Sequence, residues 1–124
     1  MKQLSNKRVL VTGSGQGLGL ETARAFAREG AIVIISDRDP KRVEQAVLEL
    51  QNENLKAAGY VMDVTNPDDV RAVRQQINDE IGPISVLVNN AGIVSGGEFL
   101  DVSLERHLTT YTVNAHGPVI VTHI

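Results

Sequence analysis

The chain has 124 residues, 42% of them hydrophobic, with 15 acidic against 12 basic residues and no cysteine. This fits one domain able to bury a core and excludes a disordered chain. A net charge of −3 without a Lys/Arg cluster leaves no electrostatic footprint for nucleic acid or a membrane surface, and the missing cysteine removes disulfides, thiolate nucleophiles and cysteine metal sites.

The first residues, Met1 to Lys7, carry no apolar leader, and no run approaches the roughly 18 apolar residues of a membrane helix, so a cytoplasmic protein is expected. Arg8-Val9-Leu10-Val11 then reads as a strand buried on both faces. It runs into Thr12-Gly13-Ser14-Gly15-Gln16-Gly17-Leu18-Gly19, after which Leu20, Ala23, Phe26 and Ala27 recur at helical spacing. Strand, glycine turn and helix in that order form a phosphate cradle: glycine lets backbone N–H groups approach an anion, and the helix N-terminus adds its positive end. A literal G-x-G-x-x-G is absent, T-G-x-x-x-G-x-G is present, and no Gly-Lys-Ser/Thr follows to make a P-loop. A tight structural turn without ligand is the bland alternative. Four glycines cost more conformational entropy than such a turn needs.

Ala31 to Ile35 is expected as a second buried strand, ending at Ser36-Asp37, and Asp39-Pro40 as the cap and first residue of a helix whose inner face holds Val43, Ala46, Val47 and Leu50. Lys56 to Met62 is a weaker third strand. Asn66-Pro67-Asp68-Asp69 starts a further helix with Val70, Val73, Ile77 and Ile81 inward, stopped at Gly82-Pro83. Ile84 to Val88 is a fourth strand, followed by Asn89-Asn90-Ala91-Gly92, a loop to about Asp101 and a helix capped by Ser103. Apolar strands alternating with amphipathic helices predict an α/β fold: one Rossmann-type domain over residues 1–124, a doubly wound parallel sheet in the order 3-2-1-4 with helices on both faces.

Thr12-Gly13-x-x-x-Gly17-x-Gly19, Asp63-Val64, Asn89-Asn90-Ala91-Gly92 and Val113-Asn114, in this order, resemble the N-terminal half of a short-chain dehydrogenase/reductase. The resemblance implies an oxidoreductase that moves a hydride between a nicotinamide dinucleotide and an alcohol or carbonyl substrate, this chain supplying the cofactor half. It implies that Gly13, Gly17 and Gly19 face the diphosphate, with Ser14, Gly15, Gln16 and Leu18 completing the turn. Asp63, with Val64, is implied at the adenine, and Asn90, Ala91 and Gly92 along the adenosine, Asn89 bracing the fourth strand. As turn residues, Asp63, Asn89 and Asn90 have an ordinary alternative, the satisfying of loop backbone groups.

Asp37, eighteen residues after Gly19 at the end of the second strand, suits a ribose diol and repels a 2′-phosphate, favouring NAD. Arg38 argues the other way, since a guanidinium there binds such a phosphate in NADP-preferring members of the family.

The family's Tyr-x-x-x-Lys pair is absent: Tyr60 is followed four residues later by Val64, Tyr111 by Ala115, and the last lysine is Lys56. The resemblance expects that pair after Ile124. Of the catalytic set it leaves Asn114, whose main-chain carbonyl would hold a water. Pro118 lacks the N–H that would bond this carbonyl in a continuous helix, so a kinked helix across Asn114 is expected. If the chain stops mid-helix, Val86-Leu87-Val88 is left on an open edge, which invites a homo-oligomer. His107, His116 and His123 show no metal-ligand spacing. A non-catalytic dinucleotide- or partner-binding module is the alternative in another class, and a methyltransferase-like domain a weaker one.

Overall fold

Val9, Leu10 and Val11 lie at the centre of the molecule because β1 (Arg8–Val11) has a strand on either side and helices above and below. The structure is a computed structural model that describes residues 4–90 and the backbone of 111–114. In chain order the elements are β1, α1 (Gly17–Arg28), β2 (Ile32–Asp37), α2 (Pro40–Asn52), β3 (Ala57–Val61), α3 (Pro67–Glu80), β4 (Val86–Asn89) and β5 (Tyr111–Asn114). All neighbouring strands are parallel and the sheet order is β3-β2-β1-β4-β5, which contains the expected 3-2-1-4.

Strand alternation divides the apolar residues between two cores. Val9, Val11, Val33, Ile35 and Val88 pack with Ala23 and Ala27 of α1 and Val43, Ala46 and Leu50 of α2. Leu10, Ile34 and Leu87 point the other way, onto Val70, Val73 and Ile77 of α3. Helices therefore cover both faces, as the apolar strands require. Gly59 lets α2 lie close on β3, since a Cβ there would be 2.5 Å from Val43 Cγ1 and 2.7 Å from Val47 Cγ2.

Both expected caps form. Asp39 accepts the Lys41 N–H ahead of Pro40, and Asn66 accepts from Asp68 and Asp69 N–H ahead of Pro67. Arg24 on α1, buried despite its charge, binds Glu21 on its own helix and Glu49 and Glu53 of the α2 region, tying the two helices together. Tyr60 at the outer strand donates to Glu80 at 2.6 Å. Partial burial, then that bond and the carboxylate's charge, push its phenol up to about 12.

Several boundaries differ from the sequence expectation: β2 begins one residue late, at Ile32, and β3 is a residue shorter at each end. β2 ends at Asp37 as expected, and Ser36, 1% exposed, is held by the glycine turn and the end of β1: its N–H donates to Ser14 Oγ at 3.0 Å and its Oγ to the Val11 carbonyl at 3.2 Å. β4 begins at Val86, two residues late. One further difference is a correction. Asn114 does not lie in a helix but ends β5, with β4 and β5 in the register Val86↔Tyr111 to Asn89↔Asn114. Tyr111-Thr112-Val113 is an aromatic and β-branched run, a strand former, and β4 offers it an aliphatic edge. The edge expected to be open at Val86-Leu87-Val88 is therefore paired. Pro118, Ser103, the loop beyond Asn90 and the three histidines lie outside the described residues.

Candidate functional site

The strand order reverses between β1 and β4, and in an open parallel sheet the crevice beyond the carboxyl ends at that point receives ligands. The glycine turn occupies it. Gly13 and Gly17 take φ of +61° and +60°, the left-handed region that strains most other residues. No neighbour lies within 4 Å of where a Gly17 Cβ would stand, so the backbone there faces open space. Gly19 meets the opposite condition: a Cβ would be 2.3 Å from the Gly13 carbonyl oxygen and 2.4 Å from Asn90 Nδ2.

The turn is held from below by hydroxyls. Ser14, fully buried, donates from Oγ to the Val11 carbonyl at 2.6 Å, and its N–H donates to the Ser36 carbonyl at 2.9 Å. Thr12, also fully buried, accepts the Asn90 N–H on Oγ1 at 2.9 Å and donates its own N–H to the Val88 carbonyl at 3.0 Å. Asn90 Nδ2 donates to the Gly13 carbonyl at 3.2 Å. Thr12, Gly13 and Asn90 thus fix the width of the crevice. Asn90 Oδ1 is buried and finds no partner among the described residues.

α1 starts differently from its neighbours. Its N-cap, Gln16, is extended and makes no side-chain cap bond, and its first turn has no acid. Gln16, Gly17 and Leu18 are exposed. A helix start with bare N–H groups, a positive dipole end and glycine backbone is suited to an anionic oxygen. The residues present fit a diphosphate.

Asp37 stands beside this turn. Its Oδ2 accepts the Gly15 N–H at 3.2 Å and its Oδ1 accepts the Asp39 N–H at 3.1 Å, so both oxygens are oriented by backbone. Arg38 follows it on the exposed surface. Asp63 is just past β3, where the Met62 N–H donates to the Asp37 carbonyl at 3.0 Å. Its Oδ1 accepts the Thr65 hydroxyl at 2.6 Å and the Thr65 N–H at 2.9 Å. Those two bonds, opposed by desolvation and helped by Arg38, hold its carboxyl below the usual range. Val64 packs on the α3 side of the core rather than on the crevice surface.

Thr12 to Gly19, Asp37 and Asn90 are thus brought together, with Asp63 just past the strand next to Asp37. Asn114 ends a strand beside Asn89, away from any described helix. Ala91 and Gly92 lie outside the described residues. Sequence reasoning missed Arg42, whose Cβ lies against Gly15. No local pattern points to it, because the contact joins the first turn of α2 to a loop 27 residues earlier. Among the described residues no cluster of His, Cys, Asp or Glu fits a metal ion, and no helix is long and apolar enough to cross a membrane.

A family model described as short chain dehydrogenase matches residues 7–124. The chain belongs to the short-chain dehydrogenase family. It is 42% identical over 118 residues to the 5-keto-D-gluconate 5-reductase of Escherichia coli (strain K12), covering 95% of this chain and 46% of that enzyme. The 2-keto-3-deoxy-D-gluconate dehydrogenase from Streptococcus agalactiae superposes with a TM-score of 0.82 at 27% identity, covering 91% of this chain and 52% of the other. A variant of the actinorhodin polyketide ketoreductase solved with NADPH gives 0.74 at 26% identity, covering 88% and 52%. The short-chain dehydrogenase chain thus spans about half the length of these relatives, and the part it matches is the N-terminal, cofactor-binding one.

Proposed function

We propose that this chain is the dinucleotide-binding half of an oxidoreductase that transfers a hydride between a nicotinamide cofactor and an alcohol or carbonyl, with NAD preferred over NADP. The observation that carries the reading is the uncapped start of α1, where Gly17 turns bare backbone toward open space beside the fixed carboxylate of Asp37. The nicotinamide supplies the hydride chemistry when bound.

The chain's own residues bind and orient. Gly13, Gly17 and the first N–H groups of α1 take the diphosphate, Gly19 keeps the helix close to the turn, and Leu18 offers an apolar surface. Asp37 accepts from the ribose hydroxyls and repels a 2′-phosphate. Asp63 and the residues from Asn90 flank the adenosine. Asn114 enters only through its family position, as a main-chain carbonyl holding a water.

Tyr-x-x-x-Lys is absent from these 124 residues, so on their own they bind cofactor without turnover. The reading takes the protein to be cytoplasmic and the complete enzyme to be a homo-oligomer.

Titration calorimetry with NADH and NADPH tests it. NADH is expected to bind about tenfold more tightly, equivalent to ~1.4 kcal/mol. Flat isotherms for both sink the dinucleotide reading, and tighter binding of NADPH sinks the assignment to Asp37. Turnover of an alcohol with NAD by the 124 residues alone would overturn the division of labour.

A further inference from the structure

We propose that Arg42 is a specificity-determining cation at the ribose end of the crevice and that Asp39 holds it away from that role; the inference rests on the dinucleotide reading above. A Cβ on Gly15 would lie 2.7 Å from Arg42 Cβ and 2.7 Å from Asp37 Oδ2. The stem of Arg42 and the carboxylate of Asp37 therefore converge on one backbone point of the glycine turn, the first from the start of α2 and the second from the end of β2.

What lies beyond the stem is controlled by Asp39. Its Oδ2 is 3.6 Å from Arg42 Nε, its Oδ1 accepts the Lys41 N–H at 2.9 Å, and its own N–H donates to Asp37 Oδ1 at 3.1 Å. One residue thus caps α2, orients Asp37 and engages Arg42. A 2′-phosphate on a ribose held by Asp37 would sit beside that carboxylate, where a cation within reach is needed to offset the repulsion and a guanidinium can bind it through two hydrogen bonds. Arg42 starts from the right place, but its charge is shared with Asp39. The pair is weak because both side chains are nearly half exposed, 46% and 42%, so its removal releases the arginine at little cost to the fold.

Asp39→Asn removes the charge and keeps a side chain that caps a helix as well as aspartate does. NADH and NADPH are titrated at low salt into the chain, into Asp39→Asn, and into Asp39→Asn with Arg42→Ala. The ratio of NADPH to NADH affinity is expected to rise by up to about fivefold in the single variant, the upper range for an exposed charge pair, and to fall back in the double variant. A ratio unmoved in Asp39→Asn overturns the inference. So does a rise that survives Arg42→Ala, which assigns the effect to Arg38 or to net charge. Both results leave NADH binding intact. A chain that binds neither cofactor removes the dinucleotide reading and this inference with it.

Discussion

Replacing Gly19 by alanine separates the packing of the glycine turn from its binding role. The added Cβ would stand 2.3 Å from the Gly13 carbonyl oxygen, 2.4 Å from Asn90 Nδ2 and 2.9 Å from Ser14 Cα. Two of these are backbone atoms, so relief requires the turn and α1 to part, which strains the 3.2 Å bond from Asn90 to Gly13. Overpacking of this kind costs up to about 3 kcal/mol and a lost hydrogen bond about 1, while alanine's better helix propensity returns about 1, leaving ~3 kcal/mol. For a chain of this size that is a fall in Tm of roughly 10 °C. Gly17→Ala is the control: its Cβ meets nothing within 4 Å, and only the positive φ opposes it, at about 1–2 kcal/mol. Thermal melts followed by circular dichroism, with NADH titrations alongside, should show Gly19→Ala losing stability first and Gly17→Ala losing affinity out of proportion to stability. A Gly19→Ala chain that melts within a degree of the parent would refute the argument.

Thr12→Val keeps the shape of a fully buried side chain but strands the Asn90 N–H that Oγ1 accepts at 2.9 Å, an expected loss of about 1–3 kcal/mol in urea unfolding. Arg24→Met leaves Glu21 of α1 facing Glu49 and Glu53 of the α2 region without their shared cation. A loss of about 2 kcal/mol is expected, largest at low salt, and a loss independent of salt would show that the side chain acts by packing alone. Tyr60→Phe carries a pH signature. The phenol titrates near its ordinary value of 10 when unfolded and at about 12 when folded. Its contribution is therefore fully present below pH 10 and lost as pH rises through 12. The urea midpoints of parent and variant should converge over that window, and a gap constant from pH 8 to 12 would contradict the Glu80 bond.

The elements legible in the sequence were those whose signals are local. Asp39-Pro40 and Asn66-Pro67 start helices where cap and proline coincide, and the runs ending at Val11, Ile35 and Val88 become strands buried on both faces. The hydrogen bonds of Ser36 and Asp37 escaped because they reach a turn 22 residues earlier. Arg24 and Arg42 escaped for the same reason, since their partners sit on other elements. Tyr111 to Asn114 is a different case. The β-forming run was visible, but family position assigned it to a helix, and the register against β4 follows the local residues instead.

The bonds that give the crevice its width span almost the whole described chain: Asn90 is 78 residues from the Thr12 hydroxyl and 77 from the Gly13 carbonyl. Contacts so distant in sequence must wait for the intervening chain to be made and folded. During synthesis the glycine turn emerges well before β4, yet it acquires its final geometry only when β4 docks against β1. A nascent chain halted before Asn90 carries the motif without the site.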